Sequence, residues 1–475
     1  MPPFHFIMVV WGDRFTRFFL DVALPSQLAP DGLPAMRRRD GALYRIFTTA
    51  RDAAVIAADP AFARLSALMR VAFTVVVPEA EGMLSRDRYA AMTAFHRRAV
   101  AEASADGAYL VFLAPDAVFS AGAFAHIARR AELGDELVMI GGPRATMEDA
   151  VPVVLARFRR PDGTISIPPR DLVRLMIDHP HPLSRALRWE TPGFCGLEAS
   201  HLYWFAGDHA FVAHCWHLHP VLVRSRPGSS GFSDSIDGDY VLRTVRDPAR
   251  VHVIQSSEDA CVLEFSRRDH WAERVATPVP FSQERALEWI AARTNRFHRR
   301  FFAVPIMFRA HGAAEAEVER CLAAAASVAG PLSRRTAVEI ADVDSVFDVG
   351  DLTGLPHLYL YGCGRFGTTV LGLLRRSGIA ATAFVDSERD GALEGLPVLS
   401  FDTFRNVHPP GAVVLICSMF YTPIARRLET VPDCRVLLAR PLFDQAERGV
   451  LAELPLAGWT APGPEAPSRT QGDTP

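Results

Sequence analysis

The chain contains no lysine; all 51 of its basic residues are arginine. That absence excludes three chemistries at once: a Schiff-base lysine, a pyridoxal-phosphate lysine and the lysine of a phosphate-binding P-loop. With abundant alanine beside the arginine, this is the usage of a GC-rich bacterial genome. Cysteine is sparse as well. Cys195, Cys215, Cys261, Cys321, Cys363, Cys417 and Cys434 form no CxxC pair, which argues against a disulfide framework and fits a reducing compartment. No apolar run reaches the roughly 18 residues of a membrane span. Met1 to Val10 is apolar, but it lacks the basic start and small-residue cleavage site of a signal peptide. Nor is there a basic block of the kind that binds nucleic acid. Net charge is -3, both signs are scattered, and Arg37-Arg38-Arg39 reads as a solvated loop. These absences predict a soluble, cytoplasmic protein with no nucleic-acid partner.

What remains is the mix of an ordinary globular protein, 49% apolar and 22% charged over 475 residues. At roughly 100–200 residues per domain, two or three domains are expected. In the first 150 residues, apolar runs alternate with segments of helical period. Strands are predicted at Phe6 to Val10, Leu43 to Phe47, Val71 to Val77, Tyr109 to Leu113 and Leu137 to Ile140, with a helix over Arg86 to Ala103. Such alternation predicts a mostly parallel sheet with helices on its faces. The stretch 151–300 is less regular, with helical patches at Pro169 to Ile177 and Phe281 to Ala292 around a centre rich in aromatic, His and Asp residues. Residues 301–354 read as a helical connector, in which an alanine-rich helix from Ala313 to Ala329 is broken by Gly330-Pro331. The segment from 459 to 475 is Pro-, Gly-, Ser- and Thr-rich and reads as a disordered tail.

Between 355 and 450 the pattern becomes a Rossmann-like unit. The strand His357 to Tyr361 runs straight into Gly362-Cys363-Gly364-Arg365-Phe366-Gly367, and a helix follows to Arg376. A second strand, Ala380 to Val385, ends in Asp386. Gly362 permits the tight turn, Gly364 lets the backbone approach a diphosphate, and Gly367 lets helix and strand pack closely. Asp386 stands where an acidic side chain can bond a ribose hydroxyl. A nucleotide or dinucleotide is the expected ligand; the alternative is a unit that only packs. With the turn Gly395-Leu396-Pro397-Val398 and the strand Ala412 to Cys417, this stretch resembles the nucleotide-sugar-binding domain of bacterial sugar acyltransferases. Their hexapeptide-repeat β-helix is absent here, so the resemblance implies binding and not acyl transfer.

The predicted N-terminal strands end in polar residues, where open α/β sheets bind ligands. Trp11-Gly12-Asp13-Arg14, Thr48-Thr49 with Asp52, and Asp116 stand at three such ends. Trp11 can stack a base, Asp52 can bond a ribose or base edge, and Asp116 can face a metal–diphosphate. Further on, His217 and His219 are two apart and would share a face of a strand. Asp237 and Asp239 form an Asp-x-Asp pair, a spacing that can hold a divalent cation such as Mn or Mg; Asp-Gly is also a common turn dipeptide.

The segments "VVWGDRF", "IFTTARD", "VFLAPDAVFS" and "IDGDYV", with the histidine-bearing strand, resemble bacterial GT-A type glycosyltransferases over residues 1–300. That resemblance implies a nucleotide-sugar donor, a glycan or other hydroxyl acceptor, and a role in surface polysaccharide or glycoconjugate synthesis. It also implies a metal site, for which Asp116, Asp237, Asp239, His217 and His219 are the candidates, with Asp237 or Asp239 as base. One departure is plain: Asp116 stands alone where the family carries two aspartates. Either one carboxylate suffices, Asp237 and Asp239 complete the site, or no metal is used. Two other readings remain: a nucleotide-sugar-modifying or NAD-dependent oxidoreductase or epimerase acting through the glycine loop, and a non-catalytic nucleotide-binding scaffold. Against the oxidoreductase stands the lack of any Tyr-x-x-x-Lys pair.

Overall fold

The computed structural model describes residues 2–460, apart from 37–40, 190, 197–199, 233–234, 272–274, 276, 389 and 448–453. The arginine run 37–39 and the tail 461–475 lie outside the described residues. The chain is a mixed α/β protein. Its strands begin with β1 (Phe4–Val9), β2 (Leu43–Thr48), β3 (Arg70–Val76), β4 (Tyr109–Leu113), β5 (Ala117–Phe119), β6 (Leu137–Ile140) and β7 (Arg144–Thr146). The middle of the chain carries β8 (His201–Ala206), β9 (Ala210–Cys215), β10 (His219–Arg224), β11 (Val251–Val253), β12 (Val262–Ser266) and β13 (Ile306–Arg309). The last group is β14 (Leu358–Tyr361), β15 (Ala383–Asp386), β16 (Gly391–Leu393), β17 (Leu396–Ser400), β18 (Ala412–Ile416), β19 (Cys434–Leu438) and β20 (Leu456–Trp459).

The largest sheet has the order β11-β6-β10-β4-β1-β2-β3-β20. Pairing is parallel except along β10 and β20. Its central strands are apolar on both faces because helices cover both; every residue of β1 and β4 is buried. Side-chain caps set the helix starts between them: Thr49 caps Ala50–Ala57, Asp59 caps Pro60–Leu68 and Asp87 caps Arg88–Ala105. The chain builds β1, β2 and β3 in one direction, then crosses to lay β4 on the other side of β1. The strand order therefore reverses between β1 and β4, the place at whose carboxyl edge open α/β sheets bind ligands.

A small sheet, β5-β12-β7, continues directly from that edge. β5 starts four residues after β4 ends, and β7 starts four after β6, so both lie just past the main sheet. The antiparallel sheet β13-β9-β8 carries the helix Glu315–Glu339.

The C-terminal sheet has the order β16-β17-β15-β14-β18-β19, parallel except for β16. Its strand β14 shows the period of two: Leu358 and Leu360 face one core, Tyr359 and Tyr361 the other. The second core also holds Trp204 and Val212 of the antiparallel sheet and Ala325, Ala329 and Leu332 of the long helix. It is one continuous apolar body between the two halves of the chain.

Two departures from the sequence reading stand out. Gly330-Pro331 does not break its helix, which runs unbroken from Glu315 to Glu339 with Pro331 inside. An interior proline costs about 3 kcal/mol. The buried residues Ala325, Ala329, Leu332 and Thr336 flank it on the packed face and offset that cost. The second departure is β20, which leaves the C-terminal half and pairs with β3, Trp459 packing edge-on to Phe73 at 5.1 Å.

Candidate functional site

Polar residues leave the main sheet at the carboxyl ends of β1, β4 and β6, and at the start of the reversed strand β10. After β1, Gly12 takes φ +82°, and its N–H donates to Asp52 Oδ2 at 2.9 Å. The same oxygen accepts the Thr49 hydroxyl at 2.9 Å. Asp52, 5% exposed, thus clamps the β1 loop onto the β2 loop. Trp11 is partly buried, its ring 5.8 Å from that of Phe95.

After β4 comes Asp116. Its backbone carbonyl accepts the Phe265 N–H at 2.8 Å, which fixes it beside β12. Glu264 of β12 lies opposite Ala117 on one side and Arg144 on the other. The small sheet therefore sets Asp116, Arg144 and Glu264 side by side. Arg144 forms a salt bridge with Glu264 and donates to Ser266 Oγ at 2.7 Å. Its guanidinium lies 4.9 Å from the centre of the Trp271 ring. Trp271 takes φ 58°, a backbone conformation uncommon for an aromatic residue. Room for Glu264 comes from Gly142, where a Cβ would stand 2.7 Å from Glu264 Oε1.

These neighbours shift one another. Burial pushes Asp116 up, the Glu264 charge adds to it, and Arg144 and Arg14 pull the other way, leaving its carboxyl at about 6. Burial also raises Glu264, against Arg144 and with Asp237. Burial would raise Asp237 too, but His217, the Ser235 hydroxyl and His298 more than offset it, and its carboxyl stays below the ordinary value. For His219, burial lowers the pKa, while its bond to Phe112 and the charges of Asp237 and Asp116 act against that. One imidazole therefore feels both aspartates, although 121 residues separate them.

The loop carrying Asp237 is held from behind. Asn295 caps the helix Arg296–Phe302 reciprocally with His298. Asn295 Nδ2 donates to the Gly238 carbonyl at 3.0 Å, and His298 Nε2 donates to the Asp237 carbonyl at 2.6 Å. Burial, with His217 beside it, pushes His298 down to about 3, so this contact is made by a neutral ring.

The sequence candidates thus divide. The charges of Asp116 and Asp237 both act on His219. His217 and His219 do not share a strand: His217 lies in the bend between β9 and β10, its ring 4.3 Å from that of His298. Asp239 starts the helix Tyr240–Thr244 and lines a different cleft, between the two halves of the chain. Neither histidine offers Nε2 to a metal, since His219 bonds the Phe112 carbonyl at 2.8 Å and His217 the Arg293 carbonyl at 3.2 Å. Among the described residues no three His, Cys, Asp or Glu groups are arranged to hold a metal ion. Arg144 and Glu264 escaped the sequence reading. Arg144 had a usable signal, a polar residue just past a strand end after Gly141-Gly142; Glu264 had only its place within an apolar strand.

In the C-terminal sheet the three glycines differ. A Cβ on Gly367 would lie 1.9 Å from the Gly362 carbonyl oxygen, and one on Gly362 would lie 2.6 Å from the Cys417 carbonyl. A Cβ on Gly364 would meet nothing within 4 Å. Gly362 and Gly367 are required by packing, while Gly364, at the start of the helix Arg365–Arg376, faces open space. Asp386 ends β15, its Oδ1 accepting the Glu388 N–H at 3.2 Å.

No protein-family model matches the chain, and no curated protein matches it in sequence. Among the described residues no helix is long and apolar enough to cross a membrane.

Proposed function

We propose that the chain is a glycosyltransferase of GT-A type that moves a sugar from a nucleotide-sugar donor to a hydroxyl acceptor. The observation that carries this reading is the small sheet that sets Asp116, Arg144 and Glu264 side by side beyond the carboxyl edge of a mostly parallel sheet, within electrostatic reach of Asp237. In a direct displacement, the bond from the anomeric carbon to the diphosphate breaks as the acceptor oxygen bonds that carbon. Asp116, with its carboxyl at about 6, is ionised at neutral pH yet basic enough to take the acceptor's proton. Arg144 and Arg14 bring positive charge to the departing diphosphate. Asp237 stays ionised and can bond sugar hydroxyls. The donor set does not fit a divalent cation, so no step runs through one.

In the C-terminal half, the open space at Gly364 supports a Rossmann-like unit with a nucleotide or nucleotide sugar on its glycine loop. A screen of nucleotide sugars for transfer and for donor hydrolysis tests the main reading. Asp116→Asn should lower turnover at least about a hundredfold without unfolding the protein. Unchanged turnover would remove Asp116 from the chemistry; no turnover with any donor would favour the non-catalytic scaffold.

A further inference from the structure

A cleft of about 680 Å³ lies between the two halves of the chain. Its floor is formed by the carboxyl ends of β18 and β19, with Ile416 and Ser418 from one and Leu438 and Arg440 from the other. Its roof comes from the N-terminal half, through Gly238, Asp239 and the stretch from Ala291 to Arg299. The glycine loop is not part of its lining. Volume, position between two units and placement beyond parallel strand ends are each typical of small-molecule sites.

The lining has three chemistries in one space. Arg293 and Arg435 are exposed on its walls, and neither makes an ion pair among the described residues. Arg296 and Arg299 are paired with Asp344 and Asp342, which are 70% and 63% exposed. The Arg296–Asp344 pair, exposed on both sides, is weak and yields to a stronger anion, whereas Arg299 is itself only 14% exposed. Planar guanidinium forks match phosphate oxygens. Asp239 and Asp351 also line the space, and carboxylates accept sugar hydroxyls. Leu242, Leu352 and Met419 supply an apolar wall. An inorganic anion has no use for the last two features.

We propose that this cleft is a nucleotide site, with phosphates on Arg293 and Arg435, ribose hydroxyls on the aspartates and the base on the apolar wall. It is separate from the glycine loop and does not depend on the sugar-transfer reading, because its test measures binding alone. The wall it uses also holds Asp237: Asn295 and His298 line the cleft while bonding the carbonyls of Gly238 and Asp237. Occupancy of the cleft is therefore in direct contact with the support of the other site.

Calorimetric titration of the full chain with ADP and with UDP tests the proposal. Arg293 and Arg435 are exposed, so the double variant Arg293→Glu/Arg435→Glu should fold like the parent, which circular dichroism checks. The expected result is at least a tenfold loss of affinity for one binding event in that variant. Gly364→Val and Asp116→Asn should both retain that event. Unchanged titrations in the double variant, or loss of all binding in Gly364→Val, would overturn the proposal. So would inorganic pyrophosphate binding at this site as tightly as the nucleotides.

Discussion

Asp116 is the residue on which stability and the proposed transfer chemistry make opposite demands. Its folded carboxyl sits at about 6 against an ordinary 3.8, so the folded protein holds the proton more tightly than the unfolded chain does. Stability from this group is fully present below pH 4 and is lost as pH rises through 6. Asp116→Asn, which mimics the protonated form, should therefore raise the melting temperature at pH 7.5 and leave it nearly unchanged at pH 3.5. The gain at high pH should be on the order of 1–3 kcal/mol. The proposed transfer needs the other protonation state, so on that reading kcat/KM of the parent should fall as pH drops below about 6. A thermal scan at two pH values and one pH–rate profile check both limbs. A variant that melts alike at both pH values would show that the carboxyl is not perturbed. Asn295 offers a contrasting case. Asn295→Ala removes a cap worth about 0.5–2 kcal/mol and also frees the Gly238 carbonyl behind Asp237. It should lower turnover roughly tenfold or more, beyond any effect on KM, whereas an alanine at the Asp59 cap should destabilise without that loss.

At the scale of elements, the glycine loop separates packing from binding. Gly367→Ala drives a Cβ into the Gly362 carbonyl and should cost about 3 kcal/mol or more in denaturant unfolding. Gly364→Val meets open space and should cost no more than about 1 kcal/mol, while blocking any ligand that approaches the loop. Equal destabilisation by both would mean that the loop is not built as described. These spacings were legible in the sequence because a strand, a tight turn and a helix follow each other locally. β4 and β6 were equally legible, as apolar runs with sharp ends, and their predicted bounds match the observed ones. The long helix was not, because local signals at Gly330-Pro331 say stop, while the packed face around Leu332 decides otherwise. His217 failed for a related reason: alternation inside "HCWHLH" suggests one strand, but the chain bends there to turn β9 into β10. The trio Asp116, Arg144 and Glu264 depends on the register of β12 between β5 and β7, pairings across 120 to 147 residues that no local pattern encodes.

For the whole molecule, the two halves are tied twice, by the core shared through the long helix and by β20. β20 covers the edge of β3, the carbonyl of Pro455 just before it accepts the Val77 N–H at 3.0 Å, and Leu454 is buried in the N-terminal core. A chain lacking residues 454–475 should lose at least about 2 kcal/mol and associate through the bared edge. Chemical denaturation and light scattering would show both; a monomeric truncation with unchanged stability would mean that β20 is only an ornament of the sheet.

β20 also bears on how the protein is made. The main sheet needs residues 70–76 and residues 456–459 side by side at one edge. At about 5–20 residues per second, ribosomal synthesis leaves tens of seconds between the emergence of β3 and that of its neighbour. During that interval β3 offers an unpaired edge, with the Trp459 contact of Phe73 missing, to any other nascent chain nearby. The yield of native protein should therefore depend on what shields that strand during translation, and slowing elongation in the second half of the message should favour aggregation over folding.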